Sequence, residues 1–141
     1  MYRKILVALE NGRADRSLLP HISQLARQLD SALLLVHVAD GWVARNYDRL
    51  KLRESEEMKE DRRYLEDTAA KLKGDGLKVS LKLALGDPPT EILRIAREDH
   101  CDLIAMTTHG HRLIGDLLFG STIHKVRHEA KVPVLLVRAK H

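Results

Sequence analysis

Ile5-Leu6-Val7-Ala8-Leu9 is an unbroken run of five apolar residues near the start of the chain, closed by Glu10. A short run without alternation is what a strand needs when both faces of its sheet are covered, as in a parallel sheet. Beyond it, Leu18, Ile22, Leu25, Ala26 and Leu29 recur at helical spacing and mark one buried helix face. Ser17 is placed to cap that helix, and Pro20 falls in its first turn, where a missing N–H costs little. Ala32 to Val38, rich in Leu and Val, is a second buried strand, so the first forty residues read as strand, helix, parallel strand.

The alternation continues outward. From about Arg45 to Lys73 the chain is highly charged, yet Met58, Leu65, Ala69 and Leu72 keep a stripe. That pattern predicts a loop and then a second helix with a solvated outer face, stopped by Gly74-Asp75-Gly76. Val79, Leu81, Leu83 and Leu85 alternate with Ser80, Lys82 and Ala84, which suits a strand near the sheet edge. Gly86-Asp87-Pro88-Pro89 is a turn opening a third helix with Ile92, Ile95 and Ala96 inward. Leu103 to Met106 is the fourth strand, Ser121 to Ala130 the last helix and Val132 to Val137 the last strand. Pro133, at the start of that strand, removes a ladder donor where the loss is tolerated.

The expected fold is therefore α/β: a single-domain open five-stranded parallel sheet, order 3-2-1-4-5, with helices on both faces. In that order the crossovers change direction between the first and fourth strands, and ligands bind at the carboxyl ends there. Those ends are Leu9-Glu10 and Met106-Thr107.

Composition agrees with one globular domain over residues 1–141, with 44% hydrophobic and 31% charged residues. No apolar run is long enough for a bilayer, and Met1-Tyr2-Arg3-Lys4 leads straight into the first strand, without the apolar segment of a secretory leader. The single cysteine, Cys101, excludes an intrachain disulfide, so a cytoplasmic protein is expected. The net charge is +4, and from His111 onward six Lys/Arg face two acids. This basic segment suits either a phosphate ligand or a merely solvated surface. Aromatics are only 4%, which leaves few stacking platforms and argues against nucleic acid.

After the fourth strand comes Thr107-Thr108-His109-Gly110, and ten residues on from Gly110, Gly120-Ser121-Thr122. Gly110 and Gly120 let the backbone approach a bulky anion. If Gly120-Ser121 opens a helix, its free N–H groups favour phosphate, and Ser121 and Thr122 add hydroxyls. The same residue types also end and cap helices for structural reasons alone. His109 and His111 can donate to a phosphate in this loop. His124 and His128 have the one-turn spacing of a zinc pair, but without an obvious third ligand no metal site is expected. His37 reads as a strand-end packing residue. Neither a nucleophile elbow nor a Walker lysine occurs, so no catalytic residue is expected.

Taken in order, these segments resemble the universal stress protein A family along nearly the whole chain. Its nucleotide-binding members carry Gly-x2-Gly-x9-Gly-(Ser/Thr) after the fourth strand. Here the pattern is Thr107-x2-Gly110-x9-Gly120-Ser121, with the first glycine replaced. Ile5 to Glu10, Leu35-Val36-His37-Val38, Gly86-Asp87-Pro88 and Lys131 to Val137 are similar to its other signature segments. The resemblance implies an adenine-nucleotide site for ATP or AMP, with or without Mg2+. It implies that the Val38 backbone reads adenine, that Thr107 lies near the ribose, and that Gly110, Gly120, Ser121 and Thr122 cradle phosphate. Leu9, Met106, Thr108 and His109 complete the expected site. Glu10 stands where the family often has Asp. The resemblance also implies a homodimer through the C-terminal strand and a regulatory switch with at most slow ATP hydrolysis. The rival expectation is a nucleotide-independent interaction module in which the glycine loop is structural and the basic tail recruits a protein partner.

Overall fold

The computed structural model describes residues 1–40, 47–108 and 114–140, with side chains described for 1–39, 56–108 and 121–140. Five strands run as β1 (Lys4–Ala8), β2 (Ala32–Asp40), β3 (Lys78–Gly86), β4 (Leu103–Thr108) and β5 (Val134–Arg138). Among the described residues, four helices connect them: α1 (Asp15–Leu29), α2 (Tyr47–Gly74), α3 (Pro88–Glu98) and α4 (Ile114–Glu129). All strand pairings are parallel and the sheet order is β3-β2-β1-β4-β5, as the sequence predicts.

Strand alternation divides the core into two layers. Ile5 and Val7 of β1, with Leu33 and Leu35 of β2, meet Leu18, Ile22 and Ala26 of α1 and Leu65, Ala69 and Leu72 of α2. Leu6, Leu34, Val36, Ile104 and Met106 point the other way, onto Ile92, Ile95 and Ala96 of α3 and Val126 of α4. Leu6, Leu18, Ile22, Leu65 and Ile104 are fully buried. Each such side chain contributes about 1.5–3 kcal/mol relative to exposure. β3 shows the alternating partial burial expected of an edge.

Asp102 pins the amino end of the sheet, its carboxylate accepting the N–H groups of Arg3 and Lys4 at 2.9 and 3.1 Å. At the opposite end, Gly86 turns the chain from β3 into α3 at φ +139°, a conformation closed to most residues. A Cβ there would also meet Glu91 at 3.3 Å. Gly86 thereby places Asp87, Pro88 and Pro89 over the carboxyl ends of the central strands.

Three local expectations are corrected. α1 begins at Asp15, so Ser17 lies inside the helix and does not cap it; its hydroxyl accepts the Lys140 N–H at 2.9 Å. Pro20 is consequently interior rather than in the first turn. α4 begins at Ile114 rather than Ser121, because Leu117-Leu118-Phe119 carry the helix through Gly115 and Gly120. Each of those glycines costs only about 1 kcal/mol relative to alanine, which lowers helix propensity without breaking the helix.

Candidate functional site

β1 pairs with β2 on one side and β4 on the other, so the crossover direction reverses at β1. A cavity of about 330 Å3 opens there, at the carboxyl ends of the strands. Val36, Val38, Ile92 and Met106 are among its apolar lining residues. Glu10 and Thr107 lie at the ends of β1 and β4, and Ser121 and Thr122 enter from α4.

The sheet register gives Val38 a particular role. The β1 ladder ends at Ala8 opposite Val36, and the Leu9 N–H donates to the Val36 carbonyl across 2.8 Å. Backbone groups two residues apart along a strand point to the same side. The Val38 N–H and C=O therefore face the side of β1 where that strand has already ended, beside the cavity.

Glu10 is held firmly. The N–H groups of Glu10 and Asn11 each donate to Asp15 across 2.9 Å, one to each carboxylate oxygen. Asn11 takes φ +60°, a conformation that asparagine adopts more readily than most residues. Its side-chain amide donates to Asp61 of α2 across 2.8 Å. His37 Nδ1 donates to the Leu9 carbonyl at 2.9 Å, and its Nε2 stands 3.4 Å from Asp61. Tyr64 of α2 donates to Asp15, and burial together with that bond raises its phenol above the ordinary range. At the floor, the buried Thr107 hydroxyl donates to Glu10 Oε2 across 2.6 Å.

At the rim, Thr90 donates to Asp87, and Lys125 of α4 reaches Thr90 Oγ1 at 3.2 Å and Asp87 Oδ2 at 3.8 Å. This clasp joins α3 to α4. Its groups are substantially exposed, so it contributes little stability.

The structure thus brings together Leu9, Glu10, Val38, Met106, Thr107, Ser121 and Thr122 around one cavity. Thr108 closes β4, its carbonyl accepting the Ala139 N–H, and does not line the cavity. His109 and Gly110 lie outside the described residues, and the surroundings of Gly120 are not described. Because α4 starts at Ile114, Gly120 and Ser121 do not open a helix, and Ser121 and Thr122 line the cavity from within it. Sequence reading missed several lining residues, among them Val36, His37, Asp87, Pro89 and Ile92. His37 is more than a packing residue, but its partners Leu9 and Asp61 are distant in sequence. For Asp87 and the prolines, the turn before α3 was the available signal.

Residues 1–138 match the model of the universal stress protein family. A universal stress protein of Methanothermobacter thermautotrophicus is 32% identical, with 98% of this chain and 97% of that protein covered. Universal stress protein A homolog 2 of Coxiella burnetii is also 32% identical, over 99% and 97% of the two chains. A universal stress protein of Methanocaldococcus jannaschii is 26% identical, and its solved structure superposes with a TM-score of 0.87 over 100% of this chain and 99% of that one. At the level of fold alone, the chain is also similar to a universal stress protein in complex with cAMP (TM-score 0.70, 18% identity, 99% and 98% coverage). The same holds for the Archaeoglobus fulgidus protein in complex with dAMP (TM-score 0.67, 22% identity, 96% and 98% coverage). With its fold, its switch-point cavity and these matches together, the chain belongs to the universal stress protein family.

Proposed function

We propose that this chain is an adenine-nucleotide-binding regulatory protein, with the nucleotide seated at the β1/β4 switch point. The observation that carries the reading is one cavity lined both by apolar side chains and by hydroxyl- and carboxylate-bearing ones. A flat base fits between Val36, Val38, Ile92 and Met106, with its polar edge on the Val38 backbone. The sugar then lies over Glu10 and Thr107, and phosphate reaches Ser121 and Thr122 on α4. That two proteins of similar fold are described with cAMP and dAMP supports an adenine ligand.

ATP and AMP both present this base and sugar. Among the described residues, no group of three or more His, Cys, Asp or Glu side chains is placed to hold a metal. ATP can bring Mg2+ on its own phosphates. The role is binding rather than turnover, with at most slow hydrolysis, in the cytoplasm. None of the described helices is long and apolar enough to cross a membrane. The β5 edge, with Leu136 exposed, is the surface for pairing with a second copy.

Calorimetric titration with ATP and AMP tests the binding claim. Saturable one-to-one binding supports it; no heat with either at millimolar concentration contradicts it.

A further inference from the structure

On the face of the sheet away from the switch-point cavity, α1 and α2 border a second groove, of about 1080 Å3. The two cavities share no lining residue. Two contacts fix how the helices align: Tyr64 donates to Asp15 at the start of α1, and Arg27 near its end stands 4.0 Å from Asp75, just beyond α2. These pairs are 49 and 48 residues apart, so the helices run side by side in the same direction. The same offset sets Ser23 level with Lys71, and Pro20 level with Thr68, all four of which line the groove. Ser23 is only 6% exposed, and its buried hydroxyl has no hydrogen-bond partner among the described residues. A hydroxyl left in that state costs about 1–3 kcal/mol, which a ligand acceptor can recover. Arg13 and Arg16 stand toward one end of the groove, and Arg27 and Lys71 toward the other. Its two carboxylates are already engaged: Asp15 accepts from two N–H groups and from Tyr64, and Asp75 faces Arg27. Among the described residues, Arg13, Arg16 and Lys71 are in no ion pair.

We propose that the α1–α2 groove is a second binding site, for a small molecule carrying two or more phosphate groups. One phosphate lies on Lys71 and Arg27, where the buried Ser23 hydroxyl donates to it. Another lies on Arg13 and Arg16, whose planar guanidinium groups suit phosphate oxygens. Arg16 and Arg27 are separated by about 16 Å of helix axis, and their long side chains reach inward from both ends. A single phosphate engages only one pair of cations, so a longer anion binds more tightly. Exposed cations alone make a diffuse positive surface. The buried donor at the level of Lys71 is what turns this one into a site. Because the groove shares no residue with the switch-point cavity, it does not depend on the nucleotide reading.

The test is titration of the intact protein with inorganic tripolyphosphate and with orthophosphate, in EDTA, followed by calorimetry and by methyl resonances. Tripolyphosphate is expected to bind once per chain, about tenfold or more tightly than orthophosphate, since it adds at least one charge-assisted hydrogen bond. The methyl signals of Leu19 and Leu72 in the groove should shift, while those of Ile92 and Ile123 in the switch-point cavity stay in place. Lys71→Gln should weaken binding about tenfold. Ser23→Ala should weaken it about twofold to tenfold without lowering the thermal midpoint, because it removes a hydroxyl that the fold leaves unpaired. Lys73→Gln, which removes a cation of α2 outside the groove, should leave the affinity unchanged. No saturable binding of tripolyphosphate overturns the proposal, as do shifts confined to Ile92 and Ile123. Equal weakening by Lys73→Gln and Lys71→Gln reduces the groove to diffuse charge and overturns it. Unchanged affinity in Ser23→Ala also overturns it, by taking the buried hydroxyl out of the site.

Discussion

The Tyr64 hydroxyl of α2 donates to Asp15, the first residue of α1, across 2.5 Å, and the same buried carboxylate accepts the N–H groups of Glu10 and Asn11. One side chain therefore ties two helices to the loop that carries the floor of the cavity. Tyr64→Phe removes a donor and leaves Asp15 with its backbone partners. The expected loss is about 1–2 kcal/mol, read from the urea midpoint at constant slope. Nucleotide affinity should fall by no more than severalfold, because the N–H groups still orient the loop.

Asp102 offers a pH-dependent test of the opposite end of the sheet. Burial of its carboxyl opposes ionisation, but the N–H groups of Arg3 and Lys4 outweigh burial and hold it below the usual carboxylate range. A depressed carboxylate stabilises the fold fully above its unfolded value of about 3.9, and that stability is lost as pH falls through the lower folded value. Asp102→Asn should cost about 1–3 kcal/mol at neutral pH, since its amide cannot accept from both N–H groups. The gap between variant and parent should narrow below about pH 4. Urea midpoints from pH 7 to pH 2.5 measure both effects.

Leu136 tests the proposed assembly. It is exposed on β5, the edge strand of the sheet, and its side chain is not needed by the inner layers. Leu136→Lys places a charge on that edge, as proteins do to discourage strand pairing. Sedimentation equilibrium should show a dimer for the parent and a shift toward monomer for the variant, with the same circular dichroism. A parent that is monomeric at high micromolar concentration contradicts the edge-pairing model.

The strands were legible because their residues leave few alternatives. Ile5 to Leu9, Ala32 to Val36 and Leu103 to Met106 are continuous apolar runs separated by helical stripes, and the parallel order followed from that alternation. The start of α4 was not legible. Gly115 and Gly120 look like punctuation in sequence, whereas the cost of a helical glycine is small enough for the surrounding turns to absorb. Ser17 misled for a related reason: a good capping residue marks a helix end only when the backbone stops there, and Asp15 already lies inside α1. At the site, Glu10 and Thr107 were visible as strand-end residues, but not as a bonded pair, which requires the packing of β1 against β4. His37, Asp15 and Tyr64 were hidden because their partners lie on other elements, and no local pattern encodes such contacts.

In the proposed function, the switch-point cavity takes an adenine nucleotide. Methyl resonances followed during titration with AMP test it most directly. Those of Val36, Val38, Ile92 and Met106 should shift together and saturate at one nucleotide per chain, while those of Ile5, Leu18 and Leu65, on the other face of the sheet, stay in place. No shift at millimolar AMP, or shifts confined to the Leu18 and Leu65 face, would contradict it.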